Sequence, residues 1–482
     1  MRPVLTPDEM AAADRRAVAA GTPVEVLMDR AGRAVAWSMR RRLGRASGLR
    51  VVIAAGKGNN GGDGLVAARV LRGWGARVDV FRVGEGIDRA ALLRAVSRAD
   101  VAVDAMYGTG FRGELGGDAG EVRDAFAAFD GPVFAVDIPS GVDGLTGAVS
   151  GAAVAADVTV TFAAPKTGLC FEPGRTLAGV VEVADIGIDV EDPDSGPGAY
   201  WTEAVDVCRW VRPRDAAAHK WSAGVLVIGG SGGMTGAPAL AAHAALRAGA
   251  GIVWCAVPGH DAAARMSGTE VISRALAAGA DGALAPSAAG EVLSVAARFR
   301  AVAIGPGLGR TDAAAEAVRR IVADLDRPLV VDADGLHALA GRLDLLRGRS
   351  APTVVTPHEG EYAALCGRPV GPDRLAAARA LAADTGAVVL LKGPGTVVAN
   401  PDGLATVCPL GGPWLASAGT GDVLTGIVAA FSARDAGPFG AASAAAFVHA
   451  AAADRAGHTG LVAGDLVDAL PLTLESVLEG AT

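Results

Sequence analysis

Aromatic residues are scarce in this chain, at 4% of the whole, and long uninterrupted apolar runs are missing. The first shortage means that cores must be filled by Ala, Val and Leu, with helices packed closely on small side chains. The second argues against a membrane-spanning helix, because the alanine-rich stretches are too weakly hydrophobic or too often interrupted. There is no basic excess either. Lys and Arg total 44 against 52 Asp and Glu, a formal net charge of −8, which gives no electrostatic case for nucleic acid. Cysteines at metal-ligand or redox spacing are also absent. Cys170, Cys208, Cys255, Cys366 and Cys408 lie far apart and read as free thiols in a reducing cytoplasm. The opening Met-Arg-Pro-Val-Leu-Thr-Pro-Asp-Glu-Met carries acids where a secretion signal needs a basic and then an apolar run. A cytoplasmic protein acting on small molecules is expected, without membrane or nucleic acid partners.

What is there is an alternating pattern. At 482 residues the chain should hold two or more domains. Thr6-Pro-Asp-Glu9 has the form of a capping box with Pro at the first helical position, opening a helix to about Ala20. A second helix is expected over Val24–Leu43. Short β-branched runs follow at Arg50–Ala54, Arg77–Arg82, Val101–Asp104, Val133–Asp137, Val158–Phe162 and Val180–Asp185, separated by helical or Gly-rich segments. This is the signature of a parallel sheet covered on both faces. The acidic, Pro- and Gly-rich stretch 189–198 breaks the rhythm and marks a boundary, giving domains 1–200 and 201–482. A second series has strands at Gly224–Gly230, Ile252–Val257, Ala301–Ile304, Leu329–Val331, Thr353–Thr356, Ala387–Leu391 and Thr396–Ala399. Alanine-rich helices close the chain from about Gly419 to Leu478.

The second series carries polar loops after its strands. They are Gly229–Pro238, Gly305-Pro-Gly-Leu-Gly309, Thr356-Pro-His-Glu-Gly-Glu361 and Lys392-Gly-Pro-Gly-Thr396. In open α/β sheets ligands bind beyond the carboxyl ends of strands, so these loops should converge. The richest motif is Gly419-Thr-Gly-Asp422 ahead of an apolar helical run. Such a helix start offers free N–H groups and a positive dipole end to a phosphate. Asp422 then stands where a base could meet a hydroxyl beside that phosphate. Each motif alone has a plainer use: Asp422 as an N-cap, His358 as a satisfied loop histidine, Lys392 as a solvated charge, Gly305–Gly309 as a turn. The combination at successive strand ends favours a site.

On these motifs, together with His219-Lys220 and the Gly-Ala-Pro helix start at 236–238, residues from about His219 onward resemble the ADP/ATP-dependent NAD(P)H-hydrate dehydratases. The resemblance implies a ribokinase-like α/β domain that phosphorylates the hydroxyl of hydrated NADH or NADPH and eliminates the phosphate. It implies Asp422 as the base and Lys392, Gly393, Pro394, Gly395, Thr396 and Gly421 along the ADP or ATP. Ala237, Gly307, His358 and Asp422 would contact the hydrated dinucleotide. Magnesium is implied with the nucleotide, and Asp332, Asp334 and Glu361 are candidates to organise it, with a structural use as the alternative.

The first series carries Lys57-Gly-Asn-Asn-Gly-Gly-Asp-Gly64, Asp104 followed by Gly108–Gly113, Asp137-Ile-Pro-Ser-Gly141 and Ala164-Pro-Lys166. The glycine spacing is not the usual dinucleotide fingerprint, and Asn59-Asn60-Gly61 alone could be a turn. Asn60, Asp104 and Ser140 are hard oxygen donors of the kind a hard cation takes. Residues 1–200 resemble the NAD(P)H-hydrate epimerase domain. That implies a Rossmann-like three-layer α/β/α fold interconverting R and S hydrates, with Asn60, Asp104 and Ser140 holding potassium. Asn59, Asn60, Gly61, Gly62, Asp63, Gly108, Thr109, Gly110, Phe111, Arg112, Gly113, Glu114 and Asp137 would bind the substrate. Asp137 is the implied acid/base, with Lys166 as its partner. Phe162-Ala-Ala-Pro-Lys-Thr-Gly departs from the more usual Phe-Gly-Ala-Pro-Lys-Pro-Gly of that family.

Two rivals stand beside a fused repair enzyme. The second half could be a ribokinase-like kinase for a small vitamin precursor, fused to a nucleotide-binding module without catalysis. The first half could be a binding or oligomerisation module. A homo-oligomer is expected for the fused enzyme.

Overall fold

The computed structural model describes residues 1–191, 198–265 and 270–480. Most of the Pro- and Gly-rich boundary segment, residues 192–197, lies outside the described residues. The chain divides into one compact unit of Arg2–Ala199 and another of Tyr200–Thr482 with Met1.

The first unit is built on a parallel sheet in the order Arg77–Arg82, Arg50–Ala55, Val101–Ala105, Val133–Val136, Val158–Phe162, Val180–Ala184. Its four inner strands are buried on both faces, which is why they read as nearly continuous apolar runs, while the edge strands Arg77–Arg82 and Val180–Ala184 are partly exposed. Successive residues of Arg50–Ala55 feed opposite cores. Val51 and Ile53 pack under helices Pro7–Ala19, Val24–Leu43 and Asn59–Gly73, while Val52 and Ala54 face helices Arg89–Val96 and Gly117–Ala127. The capping box at Thr6 forms: its hydroxyl accepts from the Glu9 N–H at 3.2 Å, and Glu9 receives the Thr6 N–H at 2.7 Å. The strand order reverses between Arg50–Ala55 and Val101–Ala105. A crevice is expected at such a switch point.

The sheet of the second unit runs Ala405–Val407, Val397–Ala399, Val388–Leu391, Thr353–Val355, Leu329–Val331, Ala301–Ile304, Gly224–Ile228, Ile252–Pro258, Ile272–Leu276. It is parallel from Val388–Leu391 onward, and the two strands before that in the order are antiparallel. Its switch point falls between Ala301–Ile304 and Gly224–Ile228. Helices Gly236–Arg247, Thr420–Ser432, Pro438–Ala456 and Ala463–Glu479 share one core with the sheet. The packing is close because the side chains are small: a Cβ on Gly426 would collide with the Ala241 carbonyl. Among the described residues no helix is long and apolar enough to cross a membrane.

Candidate active sites

At the first switch point lies a cavity of about 660 Å³. The loop after Arg50–Ala55 brings Asn59, Asn60 and Asp63 to it, and the loop after Val101–Ala105 brings Gly108, Thr109, Gly110 and Phe111. Asp137 and Lys166 close the wall. Gly61 and Gly62 do not line it; they are small because the helix start packs tightly. A Cβ on Gly61 would strike the Gly56 carbonyl, and one on Gly62 would lie 2.5 Å from the Met28 sulfur. Arg112, Gly113 and Glu114 also fall outside the lining. The Arg112 guanidinium turns to the Thr109 and Phe111 carbonyls and to Asp143 at 3.6 Å.

Lys166 is 1% exposed, and its ammonium is fully engaged. It donates to the Thr161 hydroxyl at 3.0 Å and the Phe162 carbonyl at 2.8 Å, and pairs with the Asp137 carboxylate at 2.6 Å. Thr161 in turn donates to Asp137 at 3.0 Å. Asp137 sits at φ 67°, a left-handed conformation that costs a non-glycine residue about 1–3 kcal/mol and commonly marks a functional position. Facing this pair, Asp63 is pushed up to about 8, by burial and by the like charges of Asp137 and Asp14. It is therefore protonated at neutral pH and can donate a hydrogen bond.

Beneath the cavity, Asp104 is fully buried. It accepts the Ser140 hydroxyl and N–H at 2.7 Å each and the Met106 N–H at 3.1 Å. Burial raises its carboxyl to about 6 against these bonds. Asn60 is buried, with neither amide atom satisfied within the protein. An orphaned amide is costly. Its oxygen, with those of Asp104 and Ser140, is the donor chemistry a hard cation takes, so the residues fit a potassium ion.

The second unit builds its site around Asp332, beyond strand Leu329–Val331. Asp332 accepts from the Thr356 hydroxyl (2.7 Å), the Thr425 hydroxyl (2.5 Å) and the Lys392 ammonium (2.7 Å). Burial works to raise this carboxyl, but Lys392 and the hydroxyls outweigh it and hold it below the usual range. For Lys392 burial works to lower the pKa, and the carboxylates of Asp332 and Glu361 outweigh it and raise it. Three strand ends and the helix Thr420–Ser432 are thus tied at one point. The Lys392 ammonium is delivered to the helix start, where a Cβ on Gly421 would lie 3.5 Å from it. Gly419 takes φ 90°, which only glycine adopts easily. Among the described residues the Gly421 and Asp422 N–H groups find no backbone acceptor, as the first turn of a helix requires. Asp422 is raised to about 7, by burial and then by Asp332, with Lys392 opposing and Glu361 and Asp334 adding.

The other expected contacts surround this point. Gly307 packs on Ala237 and its carbonyl accepts from Ser231 at 2.9 Å, which joins the two loops at the switch point. His358 caps helix Glu359–Cys366, its Nδ1 accepting the Gly360 and Glu361 N–H groups, and is 58% exposed. The Lys392–Thr396 loop is braced by Arg374, which donates to the Lys392 carbonyl at 2.9 Å and pairs with Glu359. The three magnesium candidates are already engaged. Asp334 holds the Gly309 N–H (2.9 Å) and Arg310 (3.0 Å), and Glu361 holds the His358 N–H (2.8 Å). Asp332 is saturated as described. Asp332 and Glu361 meet through Lys392 while Asp334 bonds elsewhere, and among the described residues no group of three carboxylate, histidine or cysteine side chains is placed to hold a metal ion. Sequence reasoning missed Thr161, Arg374 and His449, which belong to no recognisable motif, and the bonds by which Thr356 and Thr425, inside or beside motifs, hold Asp332.

Two family models match. One described as NAD(P)H-hydrate dehydratase covers residues 225–472, and one described as YjeF-related protein N-terminus covers 24–97 and 82–168. The bifunctional NAD(P)H-hydrate repair enzyme Nnr of Moorella thermoacetica is 41% identical over 95% of this chain and 93% of its own length. That of Salinibacter ruber is also 41% identical, over 97% and 95%. Among solved structures, the ADP/ATP-dependent NAD(P)H-hydrate dehydratase from Bacillus subtilis, co-crystallised with ATP and Mg2+, is 31% identical. It covers 58% of this chain and 98% of its own, with a TM-score of 0.51. The Rossmann-like first unit and the ribokinase-like second agree with these matches, and the chain belongs to the family of bifunctional NAD(P)H-hydrate repair enzymes.

Proposed function

We propose that this protein restores hydrated NADH and NADPH: the first unit equilibrates the R and S hydrates, and the second dehydrates the S form using ADP or ATP. The observation that carries the reading is the helix start at Thr420. Open amides, the Lys392 ammonium and a carboxylate near neutral pKa meet there. Asp422 takes the proton of the ring hydroxyl, whose oxygen attacks the terminal phosphorus of the nucleotide. The Gly421 N–H and Lys392 hold the transferring phosphoryl group. The ring nitrogen's lone pair then expels phosphate from the adjacent carbon, and loss of a neighbouring proton regenerates the dihydronicotinamide. Lys392–Thr396 flank the nucleotide, and Ala237, Gly307 and His358 the dinucleotide. Magnesium bound together with the nucleotide would supply charge neutralisation there, beside the Lys392 ammonium.

In the first unit Asp137, paired with Lys166, is the acid/base residue, and the neutral Asp63 donates to the bound hydrate. Asn59, Asn60 and Gly108–Phe111 seat the hydrate in the cavity, with Gly61, Gly62 and Arg112–Glu114 shaping those loops. Asn60, Asp104 and Ser140 would hold potassium, which would supply a fixed positive charge to the site. The protein works in the cytoplasm as a homo-oligomer.

Incubation with hydrated NADH plus ADP or ATP and magnesium tests the second activity, by recovery of the nicotinamide absorbance. No recovery with either nucleotide sinks it. Chromatographic separation of R and S hydrates tests the first. Equilibration no faster than the spontaneous rate would leave the first unit a binding module. Asn60→Ala or Asp104→Ala should weaken the response of epimerisation to potassium.

A further inference from the structure

His449 lies within the alanine-rich helix Pro438–Ala456 and is 8% exposed. Its Nε2 stands 2.9 Å from the Thr420 carbonyl oxygen. A carbonyl only accepts, so Nε2 carries the proton and the tautomer is fixed. Burial, opposed by this bond and aided by the charge of Lys392, takes the imidazole down to about 4. It is a neutral donor at physiological pH. A polar ring in a core that Leu could fill is costly unless its bond has a use.

That use follows from peptide geometry. The Thr420 carbonyl and the Gly421 N–H belong to one planar trans unit and point in opposite directions. Holding the oxygen aims the N–H. Thr420 is anchored on its other side, its hydroxyl donating to the Leu415 and Ser417 carbonyls at 2.8 and 2.9 Å. Gly421 is the freest residue to rotate, and it stands beside the Lys392 ammonium. We propose that His449 is a positioning residue of the second site: it locks the Thr420–Gly421 peptide plane so that the Gly421 N–H points at the phosphoryl group in transfer. The proposal rests on reading that helix start as a phosphoryl-transfer site.

The test uses the full chain carrying His449→Leu or His449→Gln. Two readouts are taken: NADH recovery from its hydrate with ADP and magnesium, and hydrogen exchange by mass spectrometry. Misaiming one donor should lower kcat about 10- to 100-fold in the Leu variant, with KM for ADP changed less than about threefold. Exchange should quicken across residues 417–424 and not along 438–456. Gln presents an N–H near the Nε2 position and should restore kcat to within about threefold of the parent. A Leu variant with parental kcat and unchanged exchange at 417–424 overturns the proposal. So does a Gln variant as impaired as Leu, with exchange raised throughout 438–456, because the ring then merely fills the core. If the parent itself fails to restore NADH, the phosphoryl-transfer reading falls, and exchange alone decides the point: a rise local to 417–424 in Leu, reversed in Gln, supports the clamp, and its absence overturns it.

Discussion

The two units bury the same device, a lysine against an aspartate at a strand end, and use it differently. Lys166 meets Asp137 at 2.6 Å, and Lys392 meets Asp332 at 2.7 Å. In the first unit the pairing aspartate itself borders the cavity, and the neighbouring carboxylate, Asp63, is held neutral. In the second the pairing aspartate is sealed by two threonines, and the third carboxylate, Asp422, titrates near neutrality and faces the helix start. Both places hold non-glycine residues in the left-handed region: Asp137 (φ 67°) and Ala163 (φ 62°) in the first, Ala333 (φ 50°) in the second. A buried pair contributes little net stability. Beside each pair, burial and the paired aspartate's own charge raise a neighbouring carboxylate, with the lysine opposing.

The comparison breaks first at Asp422. Asp422→Asn should cut dehydration by about 10³-fold, within the range for loss of a general base, with ADP binding by calorimetry nearly unchanged. Turnover within tenfold of the parent would remove Asp422 as the base. Next come the pairs themselves. Asp332→Asn strands a buried ammonium and should cost about 3–5 kcal/mol. Asp137→Asn, at a cavity wall, should cost less. Calorimetric melting checks this, and equal losses would erase the distinction between a sealed and an open pair.

The smallest effect is in pH. Asp422 is raised from an unfolded value near 3.8 to about 7, so the folded state holds its proton more tightly. Stability from this group is full below the unfolded value and is lost as pH rises through about 7. Asp422→Asn should therefore melt above the parent at pH 8, with the gap closing towards pH 4. Dehydration should climb up to about pH 7 and then level. Epimerisation should decline above about pH 8, where Asp63 gives up its proton. Identical profiles for the two activities would show that the two carboxylates are not differently poised.

Much of this was legible in sequence because buried parallel strands must be runs of β-branched residues. Ala301–Ile304 and Leu329–Val331 have the bounds expected from sequence. The edge strand Ile272–Leu276 escaped, because Ile-Ser-Arg-Ala-Leu is half-exposed and has one β-branched residue. The loops that surround each site were legible from glycine and charge. The residues that orient them were not. Thr356 and Thr425 are ordinary threonines until folding places them on Asp332, and His449 is one polar residue in an alanine helix. Asp332, Asp334 and Glu361 were candidates to organise magnesium or to serve structure; Glu361 closes a capping box on His358, three residues back, while Asp332 and Asp334 take partners distant in sequence.

Asp332 reaches Thr356, Lys392 and Thr425 across 24, 60 and 93 residues of chain. Contacts of such separation form only after large loops have closed. The full set of bonds at Asp332 therefore needs residues 332–425 folded together. A product ending before Thr425 would keep Lys392 on Asp332 but lack the hydroxyl that ties helix Thr420–Ser432 to that pair. The helix start joins the lysine only when the longest of the three contacts has closed.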